Sequence, residues 1–414
     1  VSGWRVVLWG VVAAMVAGCE LVPPRVDERS RVLVVENAAS PVSQAVARYY
    51  LERRGIPREN LVQVRVPDSA ANSAQETLAY DRFRQDVEGP LRAALRGRED
   101  AIRYIVLTKG VPIRVRDVPR PLPDLPDYRQ TQSLDSTLAA LDTRAPTVAL
   151  PGARGEVRAA FSPNYYWAST TAFEHRQWGG YLVTRLDGYT EADARALVDR
   201  SLLTGLPGGR VLIDPTGANE GSARPQPVAL VDTANCTAGV GCPGNPRYGS
   251  VQTADFNADL LTAAARLGAI DGLKVVVAPP NRFVSSPGLI AYASWGSNDR
   301  AFNGLEYAGL AFIEGAIAET AVSTSARTFL PTTGGQSLIA DLVRQGVTGV
   351  KGYTDEPFLD AVASPTLLFG NYFCGENLAT SFYRASRLIG WRDVVLGDPL
   401  ARLDVGATAA CPRQ

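Results

Sequence analysis

The sequence predicts an α/β protein built on a mostly parallel, helix-covered sheet, and three observations predict it. Over the first 110 residues, apolar runs alternate with helical stretches in the order strand, helix, strand, helix, strand, the rhythm of parallel strands joined by crossovers. The same alternation returns in the last third. The composition, 46% apolar and 20% charged over 414 residues, is that of a globular chain able to bury a large core.

Taken in order, residues 1–18 start with Arg5 and continue as an apolar run too short to span a bilayer, the pattern of an export signal. The run ends in Val16-Ala17-Gly18-Cys19, which resembles a bacterial lipobox and implies that Cys19 is lipidated and becomes the N-terminus. An ordinary signal peptide with a chance cysteine is the alternative. Glu20 stands where an Asp-based inner-membrane retention signal would begin, and residues 19–30, with Pro23 and Pro24, read as a tether. The expected location is the bacterial cell envelope, facing the periplasm or in the outer membrane. The membrane is then a partner through several acyl chains, since one chain binds only marginally.

Residues 31–205 read as an N-terminal α/β lobe. A strand at 32–35 runs to Asn37, Ser40-Pro41 opens a helix that Gly55 and Pro57 close, and 61–66 alternates as a strand. A helix over 74–96 and a strand at 102–107 follow, leading into TKGVPIRV. No GxGxxG follows the first strand, so no dinucleotide, and no other cofactor, is expected. The stretch 116–165 is rich in Pro and Arg and reads as a long surface loop with a short helical piece near 135–142. A strand at 181–188 and a helix at 190–204 end the lobe.

A second lobe spans 206–403, with a tail at 404–414. Its strands start near 210, 274, 289, 316, 347 and 393, and helices lie near 255–267, 336–345 and 376–389. A long loop at 216–250 carries Cys236 and Cys242 around a Gly-rich segment. In an oxidising compartment they read as a loop-stapling disulfide. A metal pair is the alternative, but no second CxxC or nearby His supports it.

Charge narrows the functional classes. With 42 basic and 42 acidic side chains there is no excess to neutralise phosphates, so no nucleic-acid partner is expected. Arg accounts for all but three of the basic residues, the lysines being Lys109, Lys274 and Lys351, and His175 is the single histidine. A His-rich metal site, or any mechanism needing two histidines, is excluded.

Ligands of open parallel sheets bind beyond the carboxyl ends of the strands. The polar residues at such ends are Asn37, Lys109, Asp187, Asp214, the run Ser294–Asp299, the run Ser323–Arg327, and Lys351. Lys109 and Lys351 each follow a strand and precede Gly, and a lysine kept in an Arg-rich chain suggests a need for a compact ammonium. Burial against carboxylates is the competing reading. The loop Ser294-Trp295-Gly296-Ser297-Asn298-Asp299 can present backbone N–H groups beside an aromatic wall. Period-two alternation aligns Glu319, Ser323 and Ser325, as a pocket wall or as a hydrogen-bonded core network.

Residues 288–403 resemble the C-terminal half of gingipain-type cysteine peptidases of the caspase-like clan. The resemblance rests on YASWGS (292–297), ETAVSTS (319–325), QSLIADLVRQGVTGVKGY (336–353) and VLGDPL (395–400). The whole chain also resembles an uncharacterised family of exported bacterial proteins, through RRGIP, LTKGVPIR, SWGSND, STSART and GVKGY. The peptidase resemblance implies a caspase-like fold with one strand ending at a catalytic His and the next at a catalytic Cys. Here Trp295 stands at the His position, Ser323 or Ser325 at the Cys position, and no cysteine lies near 319–327. Without an imidazole or a thiol the dyad cannot work. The expectation is therefore a peptidase-like scaffold that binds a peptide, protein or envelope component. The binding residues would be Ser294, Trp295, Ser297, Asn298, Asp299, Glu319 and Arg327. A hydrolase pairing Ser323 or Ser325 with Lys351, Lys109 or a carboxylate is the first alternative, and a structural envelope protein the second. A serine hydroxyl within reach of Lys351 or Lys109 in an open cleft would favour the enzyme, and sealing of those groups under the long loops would favour the structural envelope protein.

Overall fold

The computed structural model describes residues 27–119, 131–143, 148–151, 157–202, 209–216, 253–279 and 281–404. The signal run, Cys19, most of the tether, Cys236, Cys242 and the tail after 404 lie outside them. A ten-stranded sheet dominates, drawing strands from both sides of residue 205. In chain order they are β1 (Val32–Asn37), β2 (Leu61–Val64), β3 (Tyr104–Thr108), β4 (Leu182–Leu186) and β5 (Gly209–Asp214). Then come β6 (Leu273–Val277), β7 (Leu289–Ser294), β8 (Phe312–Thr320), β9 (Gly349–Tyr353) and β10 (Asp393–Leu396). Their lateral order is β6-β5-β7-β8-β9-β10-β4-β3-β1-β2. Strands β2, β1, β3 and β4 pair in parallel, as do β6, β5, β7, β8 and β9. Between these blocks β10 runs antiparallel to β9 and touches β4 at a single pair, Leu396 with Arg185.

The fold is thus the mostly parallel, helix-covered α/β sheet that the sequence predicts. Its inner strands are continuous apolar runs because both faces are covered; VLVV of β1 and YIVL of β3 are wholly buried. Helix α1 (Pro41–Arg54) begins where the Ser40 hydroxyl accepts from the Ser43 N–H, and it ends at Gly55 in the left-handed region. Helix α2 (Glu191–Ser201) opens with a reciprocal capping box between Thr190 and Asp193. The others that matter here are α3 (Thr253–Gly268), α4 (Gly304–Ala308), α5 (Ile339–Arg344), α6 (Pro365–Phe373) and α7 (Leu378–Ala385).

Two glycines of β9 mark the two layers. A Cβ on Gly349 would strike Leu378 of α7, whereas one on Gly352 would strike Ile339 of α5 and the Ser325 hydroxyl. Odd and even strand positions face opposite ways. Helix α5 therefore covers one side, packed with α1 and α2 in a row, while α3, α6 and α7 cover the other.

Three local expectations change. Residues 74–96 form a short strand, Thr77–Ala79, then a helical run whose middle, Arg84–Glu88, is π-helical. Pro90 has no N–H to donate and its ring crowds the preceding turn, so the helix widens there. The 116–165 stretch holds the short helix Leu134–Ala139 and a β-ladder between Val148–Pro151 and Val157–Pro163, segments too short to show a period. Strand β8 ends at Thr320, so Ser323 and Ser325 lie in the turn beyond it and are not aligned with Glu319.

Candidate functional site

Loops from both halves of the sheet meet at one edge. Lys109, beyond β3, donates to the Phe329 carbonyl beyond β8, and Tyr189, beyond β4, donates its hydroxyl to Asp341 of α5 at 2.7 Å. The loops that follow β7 and β8 are stitched together. The Asn298 amide donates to the Ala321 carbonyl at 2.7 Å, and the Ser337 N–H donates to the Ser297 hydroxyl at 2.9 Å. Gln336 ties Asn298 to Thr324, donating to the first and accepting from the second. Arg327 donates to the carbonyls of Thr324, Gln336 and Gly334. Gly335 must be glycine here: its φ is +78°, and a Cβ would lie 2.8 Å from the Arg327 guanidinium. The two loops singled out in the sequence are therefore neighbours, at the carboxyl ends of adjacent parallel strands.

Their side chains nevertheless diverge. Ser294 lies inside, donating to the Tyr292 hydroxyl and accepting from the Gly296 N–H. Trp295 turns toward α3, where its indole N–H donates to Asn257 at 2.8 Å and its ring packs edge-on against Phe256. At 7% exposure it is a core side chain, at the sequence position matched above to the peptidases' histidine. His175 offers no replacement. It stacks on Tyr181, next to the amino end of β4, with Nδ1 against the Gly180 carbonyl.

Both candidate lysines are sealed. The Lys351 ammonium donates to the Ala361 carbonyl at 2.6 Å and the Ser386 hydroxyl at 2.8 Å, and it pairs with Asp393 at 3.0 Å. Two of the three ammonium protons are donated to oxygens of the interior, and the charge faces the buried Asp393 carboxylate. Lys351 was expected to face the cleft; instead it points into the layer of α6 and α7. Ser325 approaches β9 from the α5 side, where its hydroxyl accepts from the Tyr353 N–H. Ser325 and the Lys351 ammonium thus lie on opposite sides of β9, so they form no base–nucleophile pair. Lys109 is satisfied likewise, by Asp187 at 3.2 Å, the Gly188 carbonyl at 2.7 Å and the Phe329 carbonyl at 3.2 Å. Asp187 also meets Arg185, which grips Asp135 and the carbonyls of Val111 and Pro112. Ser323 is half-buried in the turn beyond β8.

Glu319 is part of the same interior and is no pocket wall. It stands beside Lys351 in the register of β8 with β9 and accepts from the Tyr353 hydroxyl at 2.6 Å. Burial pushes its carboxyl up to about 8, against the pull of Lys351 and Tyr353. Asp214, ending β5, is raised to about 7 by burial and then by the charge of Asp299. Among the described residues no group of three or more His, Cys, Asp or Glu side chains comes together to hold a metal.

What is open is a cavity of about 470 Å³ behind the stitched loops. It is lined by Arg327, the segment 334–337, Asp341 and Arg344 of α5, and the aromatic residues Phe302, Tyr307 and Tyr189. The Arg344 guanidinium stacks over the Tyr189 ring at 4.4 Å. Of the residues expected to bind, only Arg327 lines this space; Ser297 and Asn298 support it through Ser337 and Gln336. Tyr189, Asp341 and Arg344 were missed. In the sequence, the polar positions of α5 read as an ordinary solvated helix face, and nothing local ties Tyr189 to them.

No protein-family model matches the chain, and no curated protein matches it in sequence. A solved structure described as "Structure of Protease" is similar over 91% of this chain and 79% of its own, at 9% identity and a TM-score of 0.40. A likeness at that level carries no chemistry across.

Proposed function

We propose that this protein is an exported lipoprotein of the cell envelope whose peptidase-like scaffold holds a peptide or protein segment without cutting it. The observation that carries the reading is the contrast at one sheet edge. The strand-end positions are occupied internally, Trp295 by packing, Lys109 by three acceptors, and Lys351 by two acceptors and the Asp393 carboxylate. Beside them stands an open cavity lined by both polar and apolar side chains. A hydrolase would need the reverse, a nucleophile within hydrogen-bond reach of a base in an open cleft. The lipid anchor at Cys19 rests on the VAGC motif and the short apolar run before it. The test is incubation with a mixed peptide library, read by mass spectrometry for both capture and cleavage. The expected result is peptides retained intact; cleavage that disappears in Ser325→Ala or Ser323→Ala overturns the reading, and capture of nothing removes its support.

A further inference from the structure

We propose that the 470 Å³ cavity recognises a carboxylate on the bound peptide, from an Asp or Glu side chain or a free C-terminus, through Arg344 and Arg327. This rests on the binding reading above and specifies its ligand. Two guanidinium groups line the cavity, and among the described residues neither has a carboxylate at ion-pair distance. The Arg327 guanidinium is held by three backbone carbonyls, which fix it in place and leave its charge uncompensated. The exposed Arg344 stacks on the Tyr189 face. The one carboxylate among the described residues of the wall, Asp341, is already engaged: Oδ1 accepts from the Tyr189 hydroxyl at 2.7 Å and Oδ2 from the Leu338 N–H at 3.4 Å.

Elsewhere the chain pairs its buried arginines with acids, as Arg185 with Asp135, Arg384 with Glu376 and Arg392 with Asp355. Arg327, half-buried, and Arg344, exposed, have no such acid among the described residues, and a planar guanidinium fork matches a carboxylate. The excess in the wall, two positive charges against Asp341, is one. It suits a monoanion better than a phosphate dianion. Phe302, Tyr307 and Leu338 give the same cavity an apolar side, which fits the residue that carries the carboxylate and not a bare inorganic ion.

The test is calorimetric titration of the full chain with N-acetyl-triglutamyl amide, the matched triglutaminyl amide, N-acetyl-trialanine with a free carboxylate, and inorganic phosphate. The two carboxylate peptides are expected to bind about tenfold more tightly than the neutral one, the loss typical of one charge-assisted contact. Arg344→Gln should erase that preference, while Arg344→Lys keeps part of it. Equal binding of the glutamyl and glutaminyl peptides, phosphate binding more tightly than either carboxylate peptide, or an unchanged preference in Arg344→Gln overturns the proposal and leaves peptide binding standing. Absence of binding by all three peptides removes both. Arg344 is exposed, so its variants are expected to fold, which the thermal midpoint checks.

Discussion

Replacing Glu319 by Gln should make the protein more stable at alkaline pH, and the size of the gain follows from where the carboxyl sits. Glu319 is fully enclosed between β8 and the α6–α7 layer, so its charged form loses water and its proton is held up to about 8, against an ordinary value of 4.5. The folded state keeps this proton where the unfolded chain has lost it. The stability it contributes is therefore complete below pH 4.5 and disappears as pH rises toward about 8. Each pH step inside that window costs about 1.4 kcal/mol, so the whole is a few kcal/mol, at most about 5 once Lys351 and Asp393 share the titration. Glutamine keeps the acceptor for the Tyr353 hydroxyl and has no charge to form. Urea unfolding of both proteins at about pH 5 and about pH 8 measures the difference. Wild type should lose stability between the two, while the variant loses less and exceeds wild type at the higher pH. Asp393 and Asp214, both raised by burial, keep a residual slope of the same sign in the variant. Parallel pH curves for the two proteins would refute the claim that Glu319 is protonated in the fold.

Lys109→Met leaves the Asp187 carboxylate buried with one partner fewer and should cost about 3–5 kcal/mol by denaturant unfolding, with peptide capture unaltered at temperatures where the variant is folded. Trp295→Ala opens a hole against Phe256 and strands the Asn257 carbonyl oxygen, an expected loss of about 3–5 kcal/mol by thermal or urea unfolding. Cys19→Ser should move the protein from the membrane fraction to the soluble one, and retention with normal processing would contradict lipidation. Peptide mass mapping of envelope-purified protein should find Cys236 and Cys242 joined; two free thiols would overturn that pairing.

Much of the fold was legible because it is written in local patterns. The apolar runs of β1 and β3 and the Ser40 cap and Gly55 stop of α1 each need only a few neighbouring residues to read. The adjacency of the 294–299 and 323–327 loops was legible too, through the order of strands and the rule that parallel strands place their loops at one edge. What the sequence hid was direction. A strand-Lys-Gly pattern looks the same whether the ammonium faces a cleft or a buried acid, and Asp393, which decides the matter for Lys351, is 42 residues away along the chain. The partner of Lys109, Asp187, is 78 residues away. Period-two alignment of Glu319 with Ser325 failed because β8 stops at Thr320 and the turn beyond it carries Ser325 toward α5. The cavity depends on Tyr189, Arg327 and α5 converging from three separate segments, a tertiary fact with no local trace.

Ser323 and Ser325, in the turn beyond β8, have no base among the described residues to activate them. Incubating the purified protein with a fluorophosphonate probe and mapping adducts by mass spectrometry tests it most directly. No adduct is expected on Ser323 or Ser325 across neutral and mildly alkaline pH, with an active serine hydrolase labelled in the same tube. Stoichiometric labelling of either serine, lost on heat denaturation, would contradict it.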